Sequence, residues 1–272
     1  GQLDDTVVLV KTGGKDMFFD PGTAFTPFGY LPWAETSVQG LRLEKDKCTW
    51  VTTSIPTSDQ STVTRVADLK MTTEGTLEGK LTVTYSGLEA QWRRLEERAE
   101  DDTDKKKFLE DEIKAWVPVG SDATLTNHPE WKSSAPTLVA EFDFKAEGWA
   151  SAAGHRVLIP VGLFSAREKH LFEHAHRVHP LYFEFPHETR DDVKVQLPLD
   201  WSVKSVPTVP VQDQKVILYS LKVEDQKGDE HITRVLKLDL LGVDQKYYGA
   251  LRNFFQQVKT GDEQQIVVQP GS

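Results

Sequence analysis

Apolar and polar side chains alternate with a period of two through much of this chain, and that alternation limits its fold more than any other feature. Leu138, Ala140, Phe142 and Phe144 are interleaved with Glu141 and Asp143, and Leu77, Gly79, Leu81, Val83 and Tyr85 repeat the pattern. Period two is the pleat of a β-strand, so each run has one dry and one wet face. Val193, Val195, Leu197 and Leu199 form a further run. Ile217, Tyr219, Leu221 and Val223 are predicted to pair with Ile232 to Leu240 across the polar turn Asp225 to Asp229. Long hairpins separated by Pro and Gly predict a mainly β protein, an antiparallel β-sandwich rather than a parallel α/β sheet. Val157 to Phe164 is almost continuously apolar and predicts a strand crossing the centre. With 272 residues, 38% of them hydrophobic, the chain can fill one large sandwich or two smaller domains.

A helical hairpin insertion is expected over 87–117, and a further helix near the C-terminus. Ser86-Gly87-Leu88-Glu89 reads as a capping box, with Trp92, Leu95 and Ala99 following on one face. Asp101 to Asp104 interrupts that pattern and starts a second helix, whose buried stripe is Leu109, Ile113 and Trp116. Charges between Arg93 and Lys114 are dense but mixed in sign, which predicts a solvated face laced with i,i+4 pairs. Near the end, Tyr247 or Tyr248, Leu251, Phe254 and Val258 share a helix side, before a closing strand from Gln265 to Val268.

Charge narrows the partners. A formal net charge of −10 and a pI near 5.3 oppose binding to phosphate backbones and anionic membranes, and no segregated basic patch offsets them. No run approaches the roughly 20 apolar residues of a membrane-spanning helix. Nucleic acid and membrane insertion are therefore not expected. Cys48 stands alone, which excludes an internal disulfide, and its neighbours Lys47, Thr49, Trp50 and Val51 read as a strand edge.

At the N-terminal end, Val7 to Val10, Thr12-Gly13-Gly14-Lys15 and Met17 to Gly22 read as a β-hairpin ending on the carboxylate of Asp20. The two glycines supply the positive φ of a tight turn, and Asp-Pro-Gly stops the second strand. The stretch "VVLVKTGGKDMFFDPGTAFTPFGYLPW" resembles the tail of a bacterial transglutaminase-like core, a papain-like fold with a Cys-His-Asp triad. The resemblance implies that Asp20 is the triad carboxylate that orients an imidazole. No His occurs before His128, and Cys48 follows Asp20 where the family order places Cys first. Only the third member of the triad is thus expected here, with Cys and His upstream in a longer protein.

From about Thr52 to Gln269 the chain resembles the domain of unknown function that follows such cores. "GTLEGKLTVTYSGLEAQWRRLEER", "RVHPLYFEFP" with "VQLPLDWSVKSVP", and "YYGALRNFFQQV" carry that likeness. The expected organisation is residues 1–50 as the end of the core and 51–272 as the β-sandwich, divided near the Ser/Thr-rich "TTSIPTSDQST". By resemblance the parent protein is periplasmic or extracellular.

Two constellations invite sharper chemistry. His170, His174, His176 and His179, with Glu168 and Glu173, offer zinc-ligand types. Leu171 follows the first His where a metalloprotease helix needs Glu, so a polar loop is expected, with no metal and no cofactor. Trp131, Trp149 and Trp201 lie near predicted strand ends, where exposed rings can stack on sugars. Phosphate loops, CxxC pairs and Ser/His/Asp elbows are not found. The expected function is a non-catalytic accessory module that packs on the upstream core or binds an extracytoplasmic protein. A carbohydrate-binding sandwich and the tail of a thiol peptidase or transglutaminase are the alternatives.

Overall fold

The computed structural model describes residues 5–166, 168 and 171–271. Two short hairpins come first: β1 (Val8–Thr12) with β2 (Lys15–Phe19), and β3 (Gln39–Leu43) with β4 (Cys48–Thr52). Gly13 and Gly14 take φ of 56° and 80°, the left-handed pair that a two-residue turn matching strand twist requires.

The next elements are β5 (Thr62–Met71), β6 (Leu77–Ser86), α1 (Leu88–Glu96), α2 (Asp102–Trp116), β7 (Ser121–Leu125) and β8 (Thr137–Ala146). They lead into β9 (Ser151–Ala153), β10 (Arg156–Pro160), β11 (Leu181–Tyr182), β12 (His187–Gln196), β13 (Ser202–Ser205) and β14 (Gln212–Asp213). The chain then runs through β15 (Ile217–Asp225), β16 (Asp229–Leu238), β17 (Gly242–Val243), α3 (Tyr248–Asp262) and β18 (Gln265–Gln269).

Eight strands form one sheet in the order β14-β15-β16-β12-β5-β6-β8-β7. The expected hairpin of β15 and β16 is present, with Ile217 opposite Leu238 and Asp225 opposite Glu230. The sheet is mixed rather than antiparallel, because β12 lies parallel to β5, with Asp191 opposite Arg65. A parallel pair needs a long crossover, and the chain between β5 and β12 supplies one through both helices and the strands that follow.

The inward face of this sheet is apolar, carrying Ala67, Leu81, Val83, Phe142, Val193, Tyr219 and Ile232. Its cover is composite rather than a second large sheet. Leu109 and Ile113 of α2, Leu251, Phe254 and Val258 of α3, and Ile159, Ile266 and Val268 of a four-stranded sheet all join the same core. The mainly β class and the C-terminal helix therefore hold, while the second layer mixes helices with strands. Val157 to Phe164 does not cross the large sheet: β10 sits inside the four-stranded one, between β9 and β18.

The helical insertion departs from its expected capping. Gly87, at φ 59°, precedes α1 without a side-chain cap, and Ser86 ends β6. The amide of Leu88 instead donates to Ser61 Oγ at 3.2 Å, a cap supplied from a distant turn. No other residue fits at Gly87, because an added Cβ would stand 2.1 Å from the Gln60 carbonyl oxygen. The stripe on α2 is as expected, and Asp101 caps that helix by accepting the amides of Thr103 and Asp104.

Candidate functional site

Asp20 closes β2 and is 8% exposed. Its Oδ1 accepts the Gly22 amide at 2.6 Å and its Oδ2 the Thr23 amide at 3.0 Å. Both oxygens are thus committed to its own turn, the local bonding that Asp offers a chain reversal. What lies nearby is another acid. Glu35, in the single turn Trp33–Glu35, is 6% exposed, and its Oε2 has no hydrogen-bond partner among the described residues. Burial first, then the neighbouring charges of Asp20 and Asp5, together raise its pKa to about 7. The Glu35 carbonyl accepts the Thr53 hydroxyl at 2.5 Å, which pins the turn to the end of β4.

Glu35 lines a groove of about 790 Å³ between the two N-terminal hairpins. One wall includes Leu9 and Phe18, which are cross-strand partners; the other includes every residue of β3, backed by Val51. Arg42 joins the hairpins at 3.6 Å from Asp16 and is held by Glu44 at 2.7 Å. A more open depression of about 580 Å³ lies on the wet face of the large sheet, where Lys80 is paired with Asp143.

A second cluster is buried. Three strands in register place Arg65, Asp191 and Arg234 in a row across β5, β12 and β16. Asp191 accepts Arg65 Nε at 2.6 Å and Nη2 at 3.1 Å, and lies 3.8 Å from Arg234 Nη1. Arg65 also donates to the Phe164 carbonyl at 3.2 Å and stacks near the rings of Trp116 and Phe164. Asp262 accepts Arg234 Nε and Nη2 at 2.7 and 2.8 Å, and Tyr219 donates to Asp262 at 2.9 Å. Burial alone would lower the pKa of Arg234, but Glu168, Asp262 and Asp191 outweigh it and hold it well above the ordinary value. Burial and then Asp262 raise that of Tyr219. This array is closed to solvent and ties the sheet to α3, a structural role.

Sequence reasoning singled out Asp20 but missed Glu35 beside it and the whole buried array. Arg65, Asp191 and Arg234 fall in the inward phase of their strands, in step with Ala67, Val193 and Ile232, and that charge in an apolar phase was the available signal. Glu35 carries no periodic signal at all.

The other sequence candidates are dispersed. Cys48 is exposed at the start of β4. His170 lies outside the described residues, and among those described no group of three His, Cys, Asp or Glu side chains is placed to hold a metal. His187 Nδ1 lies 3.1 Å from the Phe185 carbonyl and His231 Nε2 lies 2.8 Å from Asp192, both remote in sequence from Asp20. Trp131, Trp149 and Trp201 pack half-buried against the main core, so they form no open platform. The open indoles are Trp33 and Trp50. Among the described residues no helix is long and apolar enough to cross a membrane.

Residues 155–268 match the family described as a domain of unknown function with solved structure, DUF3858. A crystal structure described as a "putative protease" from Parabacteroides distasonis aligns with 97% of this chain at 10% identity and a TM-score of 0.42. The chain spans about a third of that protein, 35% of its length. Among curated proteins nothing matches. Neither match names a transglutaminase-like core.

Proposed function

We propose that this chain is a non-catalytic accessory module that packs, through its N-terminal hairpins, against a transglutaminase-like core of the same extracytoplasmic protein. The observation that carries the reading is the distribution of exposed apolar side chains. Val8, Val10, Phe28, Trp33, Val38, Leu43, Trp50 and Ile55 are all exposed, with Phe28 at 82% and Trp50 at 67%. All eight precede the main core, whose first member is Val63. Large apolar side chains are exposed elsewhere too, Val119, Leu199 and Tyr182 among them, but Phe28, Trp33 and Trp50, three of the five exposed aromatic rings among the described residues, fall within residues 28–50, and aromatic enrichment of that kind is a property of partner surfaces. The commitment of both Asp20 oxygens to local amides supports a structural role for that residue.

The test uses the preceding segment of the parent protein, expressed separately and titrated with this chain. Binding is expected, and Trp50→Glu with Phe28→Asp should weaken it by at least about tenfold, or 1.4 kcal/mol. No association at about 100 μM, a concentration equivalent to only about 5.5 kcal/mol of binding, refutes the reading.

A further inference from the structure

We infer that the groove between the N-terminal hairpins binds an extended peptide segment bearing Lys or Arg, its backbone pairing with the free edge of β3 and its cation lodging against Glu35. The groove shares Val38 and Leu43 with the packing surface proposed above, but the aromatic members of that surface, Trp50, Phe28 and Trp33, do not line it, so their substitution and that of Glu35 test the two readings separately.

Three observations converge. First, among the described residues β3 pairs only with β4, so its outer edge leaves alternate N–H and C=O groups without a strand partner there. A cavity lying over one face of a strand touches alternate residues, whereas this one is lined by Gln39, Gly40, Leu41, Arg42 and Leu43 in succession. It therefore follows the strand lengthwise, as strand addition requires. A Cβ placed on Gly40 would meet nothing within 4 Å, which leaves the face of the strand open at that position for a ligand side chain.

Second, the opposite wall has an apolar part beside the polar Asp5 and Thr6. Leu9 and Phe18 face across the hairpin and offer an apolar seat for alternate side chains of the added strand.

Third, the groove is charged in one sense where its charge is unspent. Arg42 is already engaged by Asp16 and Glu44. Glu35 retains an oxygen that is buried and without a hydrogen-bond partner among the described residues, and its neighbours Asp5 and Asp20 are acids. A buried carboxyl without a full set of partners gains most from a cation that brings several donors. Lysine and arginine supply those on a stem long enough to stay apolar along the groove.

The experiment titrates the whole chain with a capped hexapeptide of alternating valine and lysine, with its glutamate counterpart, and with the lysine peptide N-methylated on alternate amides. Affinity is read by calorimetry, and chemical shifts of the β3 amides report the position. The lysine peptide is expected to bind and shift β3, while the glutamate and N-methylated forms should each bind at least about tenfold more weakly. Glu35→Gln, which keeps size and removes a buried acid, should also weaken the lysine peptide about tenfold while the chain stays folded. Equal affinity for the lysine and glutamate peptides, or unchanged affinity in Glu35→Gln, overturns the cation site. Unchanged binding of the N-methylated peptide overturns strand addition, and no binding of the lysine peptide overturns the whole inference.

Discussion

Replacing Asp191 by Ala tests whether the buried array holds the sheet together in the way its geometry indicates. Asp191 is the only carboxylate that Arg65 contacts among the described ion pairs, and the guanidinium is 1% exposed. Without it, Arg65 keeps the Phe164 carbonyl and two ring contacts. Removing one partner of a buried pair costs about 3–5 kcal/mol, because the remaining charge is neither solvated nor neutralised. The ring contacts offset about 1 kcal/mol of that. A net loss of roughly 2–4 kcal/mol follows, a large share of the 5–15 kcal/mol that usually holds a domain. Urea unfolding followed by circular dichroism should show a lower midpoint with the slope unchanged. The double variant Arg65→Met, Asp191→Leu removes both charges, leaves the Arg234 pair with Asp262 in place, and should recover most of the loss. A single variant within about 0.5 kcal/mol of the parent would refute the account, as would a double variant at the sum of both singles.

Glu230 should give the chain a pH dependence of the opposite sense to ordinary acid unfolding. It is fully buried with both oxygens unpartnered among the described residues, and burial, then Asp225 and Asp229, raise its pKa to about 7. Its folded pKa exceeds its unfolded one, so the native state binds more protons between about pH 4.5 and 7, and this group's stabilising contribution is lost as pH rises through that interval. The unscreened shift is worth about 3 kcal/mol, and solvent screening brings the expected difference between parent and Glu230→Gln to about 1–2 kcal/mol across the interval. A pH-independent difference in urea midpoints would show that the carboxyl is solvated. At the start of α1, Ser61→Ala should cost about 1 kcal/mol through loss of the bond to the Leu88 amide, whereas Ser86→Ala should fall within about 0.5 kcal/mol. The reverse order in thermal melts would restore the local capping box.

Period two makes the strands legible from sequence, and their burial patterns follow it closely, as in β8, where Leu138, Ala140, Phe142 and Phe144 are buried and Val139, Glu141 and Asp143 are exposed. Period gives phase but not partner. Nothing local announces that β12 lies beside β5, because the pairing joins residues more than 120 positions apart and depends on what covers the sheet. The same limit explains α1. Counting apolar positions predicts that Trp92, Leu95 and Ala99 face inward, yet Arg93 and Arg94 are more deeply buried. The receiving surface is why. Arg94 donates to the carbonyls of Glu130, Ala135 and Thr137, and Arg93 lies 3.7 Å from the Tyr85 ring while holding Glu89 and Glu112. Burying an apolar stripe there would leave those acceptors unpaired, each at about 1–3 kcal/mol, more than the stripe would return. Asp20 and Glu35 repeat the lesson at the groove. The Asp-Pro-Gly signal locates Asp20 correctly at the end of a strand, but its meaning comes from two amides within its own turn and from an acid 15 residues later that has no pattern of its own. A charge placed in an apolar phase is therefore the one sequence signal that reaches beyond local structure: it shows that a partner must exist, and only the fold decides which.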